Sequence, residues 1–165
     1  MSDQGTTYAE FIKRQADAEL GRRERLDARG LAVVGTNAAL ATLVLGTLAI
    51  LEGTNQLALT RAAQWSLAIA LLCLVTAAFM GLLATQLRWY KATSTPTMQT
   101  MLGDPHWGHS EVTARNVCAT TTLKTVTSLR QGNEKKASRI VLAVRLQLAA
   151  IVCLAGAAAF EVWGV

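Results

Sequence analysis

WSLAIALLCLVTAAFMGLLATQL, residues 65–87, contains no charged side chain, and its reading decides the fold. A helix of about 20 apolar residues crosses the ~30 Å hydrocarbon core of a bilayer, so the stretch is long enough to span. On a soluble bundle such a helix would need polar residues every three or four positions to meet water, and no such face exists here. Residues 30–51, upstream, are equally uncharged, and residues 140–163, downstream, carry only Arg145 and Glu161. The expectation is an all-α, polytopic membrane protein with transmembrane helices at 30–51, 65–87 and 140–163. Charged residues make up 16% of the 165-residue chain, and nearly all fall in the remaining segments, at 1–29, 52–64 and 88–139. The first 29 residues are too charged for a cleavable signal peptide, and none is expected.

The basic residues set an orientation. Lys13, Arg14, Arg22, Arg23, Arg25 and Arg29 precede the first span; Arg88, Lys91, Arg115, Lys124, Arg130, Lys135, Lys136 and Arg139 lie between the second and third. The loop between spans one and two has Arg61 alone. Fourteen against one is a strong positive-inside bias, which places 1–29 and 88–139 in the cytoplasm and the C-terminus outside. The net charge of +5 is then mostly a topology signal, and no aromatic-interleaved basic patch suggests nucleic acid. Trp65, Trp89, Tyr90 and Trp163 fall at span ends, where amphipathic rings favour the headgroup layer.

Outside the spans, residues 7–29 read as a charged helix leading into the first span. Glu10 stands near Lys13 and Arg14, and Glu19 near Arg22 and Arg23, at helical pairing distances. This helix is either a solvated extension of the span or a surface for a partner. Residues 52–64 form an external connector. Residues 92–109, with Pro96 and Pro105, should be non-helical. Ser110 looks like an N-cap for a threonine-rich helix reaching about Gln131, with Gly132 and Asn133 as a break before the third span. Small residues recur in the spans: Gly35, Ala39, Thr42 and Gly46; Ala77 and Gly81; Ala149, Cys153 and Ala157. They favour close packing, within the chain or between copies, and a homo-oligomer in the lipid bilayer is the expectation.

Chemistry is sparse. Asp104, His106, His109 and Glu111 gather imidazoles and carboxylates, but their spacing matches no established metal site, so a polar juxtamembrane loop is preferred and no metal is expected. Cys73 and Cys153 lie within spans and Cys118 in a cytoplasmic segment, so no disulfide framework is implied. Arg145 either snorkels to the cytoplasmic headgroups or lines an interior with Asn37 or Gln147. Asn37 should satisfy its amide across a helix interface. No nucleophile–base pair, phosphate-cradling glycine loop or paired carboxylate set is present, so neither an enzyme nor a cofactor is expected.

Two stretches, LDARGLAVVGTN at 26–37 and NEKKASRIVLA at 133–143, together resemble the transmembrane effectors of bacterial Pycsar anti-phage systems. In that family an Asp, a small, a basic and a small residue precede an apolar helix containing an Asn, and a cytoplasmic helix runs through a Lys and an Ala into the last span. This chain has Arg29-Gly30 where Lys-Ala would be usual, and lacks an aromatic after Lys136. The resemblance implies a dormant protein activated by a cyclic pyrimidine nucleotide to impair the inner membrane. Arg115, Lys124, Arg130, Lys135, Lys136 and Arg139 could then meet the phosphate, or serve as ordinary positive-inside charges. The alternatives are a structural or interaction subunit, a prophage exclusion protein without its own ligand, or a small channel component lined by Arg145 and Asn37.

Overall fold

A computed structural model describes residues 4–53, 59–86, 90, 92–103 and 110–163, all of whose regular structure is helical. Helix α1 is Gln4–Gly53, α2 Arg61–Thr85, α3 Thr95–Met101 and α4 Glu111–Trp163. Of these, α1, α2 and α4 are long and apolar enough to cross a membrane. The chain is all-α with three candidate spans, as read from its sequence. Arg88, Trp89, Lys91, the loop with Asp104, His106 and His109, and the side chain of Trp163 lie outside the described residues, as do residues 54–58 of the 52–64 connector, whose ends belong to α1 and α2.

Local chemistry sets the helix ends. Thr60 caps α2, its hydroxyl accepting from the Ala63 amide at 3.3 Å. Ser110 caps α4 as expected, accepting from the Thr113 amide at 3.3 Å. Two expectations are corrected. Residues 92–109 are not wholly non-helical, because Ser94 caps α3 and Pro96 sits in its first turn, where a missing N–H costs nothing. Nor does Gly132-Asn133 break α4. Its glycine stays helical at a cost of about 1 kcal/mol, and the Asn133 amide bonds to Glu19 of α1 instead of competing for its own backbone. Threonines inside the long helices return their hydroxyls to carbonyls four residues back, as Thr36, Thr42, Thr47 and Thr76 do, so these hydroxyl donors are satisfied within the helix.

The chain divides into two units. Unit 1 comprises Met1–Arg25 and Leu87–Lys135, and unit 2 comprises Leu26–Gln86 and Lys136–Val165. Unit 2 packs α1, α2 and α4 around two clusters, Leu26, Ala84 and Ile140 in one and Ala70, Leu74 and Ala150 in the other. Its surface is apolar: Leu43, Ile50, Leu72 and Val152 are each more than 65% exposed, which suits lipid and not water. Where α1 crosses α2, a methyl added to Gly30 would sit 2.8 Å from Thr85 Cγ2 and 3.1 Å from the Gly81 carbonyl. One on Gly81 would sit 3.0 Å from Val34 Cγ2, so only paired glycines let the two backbones touch.

Burial follows a repeat of three and four residues. On α4 the buried positions are Val126, Leu129, Asn133, Lys136, Ile140, Ala143, Ala150 and Ala157; on α2 they are Ala63, Ala70, Leu74, Ala77, Gly81 and Ala84. On α1 they include Glu19, Leu26, Gly30, Val33 and Asn37. This is the seven-residue seam of coiled-coil packing, filled mostly by small and polar residues. Ala77 and Gly81 are in the seam. Gly35, Ala39, Thr42 and Gly46 are not, since they lie on exposed faces of α1.

Candidate functional site

Polar residues on and beside the seam form one hydrogen-bonded group in each unit. In unit 1, Glu19 of α1 is the hub. Its carboxylate accepts from Arg130 Nε at 3.1 Å and from Asn133 Nδ2 at 3.0 Å, and its carbonyl accepts from the same amide at 2.9 Å. Arg22 approaches Glu19 at 3.7 Å, and Arg130 also donates to Gln15 at 2.9 Å. Glu19 and Asn133 are buried, so each group's lost hydration is replaced by a partner. Further along, Arg115 donates to Thr6 at 2.8 Å and pairs with Glu111.

In unit 2, Lys136 is buried and pairs with Asp27 of α1. Three residues on, Arg139 Nη1 donates to the Leu83 carbonyl at 2.8 Å, one of the C-terminal carbonyls that α2 cannot satisfy internally. At the other end of α2, the Glu161 carboxylate accepts from the Thr60 amide at 2.8 Å and its hydroxyl at 3.0 Å. Ser66 of α2 adds a bond to the Cys153 carbonyl at 2.7 Å.

Asn37 departs from expectation. It is buried, but its Nδ2 bonds back to Val33 O of its own helix at 2.9 Å, and its Oδ1 has no hydrogen-bond partner. The reason is its surroundings: one turn on, Leu40 and Ala41 pack against a wholly apolar cluster. Arg145 is exposed, and no hydrogen bond joins it to Asn37 or Gln147.

Comparison with protein-family models, curated proteins and solved structures gives no match for this chain. Its function has to be read from the geometry.

Of the six basic residues singled out in the sequence, Arg115, Arg130 and Lys136 are held by carboxylates and Arg139 by a helix end. Lys135 is exposed and also engaged. Lys124 is exposed, has no partner among the described residues, and lines a cleft in unit 1. Sequence reading placed Glu19 beside Arg22, as found, but missed it as the partner of Arg130 and Asn133, and missed Asp27 as the partner of Lys136. The available signal for Glu19 and Asn133 was their place in the seven-residue repeat, which a search for apolar periodicity passes over because the residues are polar; Asp27 lies beside that repeat, next to Leu26.

Proposed function

We propose that the chain is a dormant multi-pass effector of bacterial anti-phage defence, triggered by a cyclic pyrimidine nucleotide to impair the inner membrane as a homo-oligomer. Its N-terminus and the 88–139 segment are read as cytoplasmic and its C-terminus as external, from the fourteen-to-one distribution of basic residues. The proposal assigns the chain no reaction of its own.

The observation that carries this reading is that the two stretches underlying the resemblance meet. Asp27 of the first pairs with Lys136 of the second, and Leu26 packs on Ile140 and Ala137. The conspicuous residues of both stretches therefore belong to one contact between α1 and α4. That contact is polar and partly buried, an element that can be made or broken. A ligand moves such an equilibrium only by its difference in affinity for the two states. A shift from 1:99 to 99:1 needs about 5.5 kcal/mol.

The test is cellular. Co-expression with an active pyrimidine nucleotidyl cyclase should depolarise cells, and the protein without cyclase should not. An unchanged membrane potential with the cyclase present would sink the reading.

A further inference from the structure

The threonine-rich stretch of α4 has a use that helix formation does not explain. Threonine is a mediocre helix former, yet Thr121, Thr122, Thr125 and Thr127 crowd two turns. Two of them, with Lys124, follow the i, i+3, i+4 spacing that puts side chains on one face. That face, Thr121, Lys124 and Thr125, forms one wall of a cleft of about 420 Å³ within unit 1. The facing wall is Tyr90 with Thr93, Ser94 and Thr97. The volume falls in the range of about 300–1,000 Å³ typical of small-molecule sites.

The lining has a definite chemistry. Six hydroxyl-bearing side chains and one ammonium line it, and among the described residues no carboxylate does. Thr121 returns its hydroxyl to Val117 O at 2.8 Å, Thr125 bonds to Thr121 O at 3.3 Å, and Ser94 and Thr97 share a proton at 2.8 Å. Hydroxyl rotors of this kind can turn to donate to a ligand oxygen. The Tyr90 ring lies under the Arg23 guanidinium, 5.1 Å from its centroid, which adds positive potential behind the wall. Among the described residues Lys124 is the one ammonium in the lining and has no partner, which matches a ligand bearing one negative charge and several acceptor oxygens. Dianions such as inorganic phosphate would be left half compensated.

We propose that this cleft is a binding site for a singly charged phosphodiester, with Lys124 on the phosphate oxygen and Thr121, Thr125, Ser94 and Thr97 on the remaining acceptors. Two sources carry that chemistry, a cyclic nucleoside monophosphate and the headgroup of an anionic phospholipid. The inference rests on the function proposed above for the choice of the cyclic nucleotide as trigger.

The experiment uses the full-length protein in nanodiscs, titrated with cyclic UMP and cyclic CMP, with and without phosphatidylglycerol in the disc. Lys124→Ala should weaken cyclic nucleotide binding at least tenfold, the loss of about one charge-assisted hydrogen bond. Thr121→Val, which removes a hydroxyl and keeps the shape, should weaken it about threefold to tenfold. Thr127→Val, outside the cleft, should bind as the parent does, and millimolar inorganic phosphate should not compete. If only phosphatidylglycerol binding depends on Lys124, the site stands with a lipid as its occupant. Binding of both probes unaffected by Lys124→Ala and Thr121→Val, or no binding of either probe, overturns it. Cells that depolarise with the cyclase while the cleft variants bind normally would refute the site alone. Loss of binding in the variants, in a protein that never depolarises cells, would refute the effector reading alone.

Discussion

Each unit takes a segment of α1 and of α4 and buries it at seven-residue spacing, yet the two fill those positions differently. Unit 1 uses a carboxylate hub, with Glu19 holding Arg130 and Asn133. Unit 2 uses alanine and glycine, with one ion pair, Asp27–Lys136, and one half-satisfied amide, Asn37. Where water competes, polar contacts are worth little each and several are needed. Where the surroundings are apolar, fit does most of the work, and a single misplaced charge or methyl is felt strongly.

The largest expected effect tests unit 2. Lys136→Met should strand Asp27 and destabilise the protein by roughly 3 kcal/mol, the low end for a buried pair because the Asp27 side chain is 35% exposed. Adding Asp27→Leu should restore most of it, both read as thermal unfolding midpoints in mild detergent. A single variant as stable as the parent would break the contrast at its strongest point.

Next come the glycines. Gly30→Ala or Gly81→Ala should cost about 1–3 kcal/mol by forcing backbones apart. Gly35→Ala and Gly46→Ala, where nothing lies within 4 Å, should instead gain about 0.5–1 kcal/mol from helix propensity. In unit 1, Glu19→Ala should cost roughly 1–2 kcal/mol, and the loss should shrink in high salt because the Arg130 side chain is 51% exposed. Hydrogen exchange at the α1 amides around Glu19 would follow it.

Removing a buried polar group should also stabilise. Asn37→Leu removes a buried oxygen without a partner and should stabilise the protein by about 1 kcal/mol. In cells carrying the cyclase, the same variant should lose depolarisation if Asn37 is kept for a second arrangement of the helices. A variant that is both stabilised and fully active would remove Asn37 from the mechanism.

Much of the fold could be read from the sequence because membrane spans announce themselves by the absence of charge, as residues 65–87 do. Caps were readable where a hydroxyl precedes a helix, at Ser110. The seam was not. In a soluble bundle the packed face is the apolar one, but lipid is as apolar as leucine, so the packed face of a span is marked by small and polar residues. Gly35, Ala39, Thr42 and Gly46 carry that mark and still face outward, while Val33 and Asn37 face in. Asn133 was misread because asparagine more often ends a helix than bridges two, and Glu19 lies too far along the chain for local spacing to pair it with Asn133. The cleft at Lys124 needed coordinates, since it depends on α3, which the prolines argued against.

The clasp on α2 has a mechanical meaning. Helix α4 offers Glu161 to the positive end of α2 and Arg139 to its negative end, like two stops on a ruler. Sliding α2 by one helical turn, about 5.4 Å, would pull both charges off their ends at once. Any sliding of the helices within unit 2 must therefore carry α2 and α4 together, and the joint left to yield is the one each makes with α1.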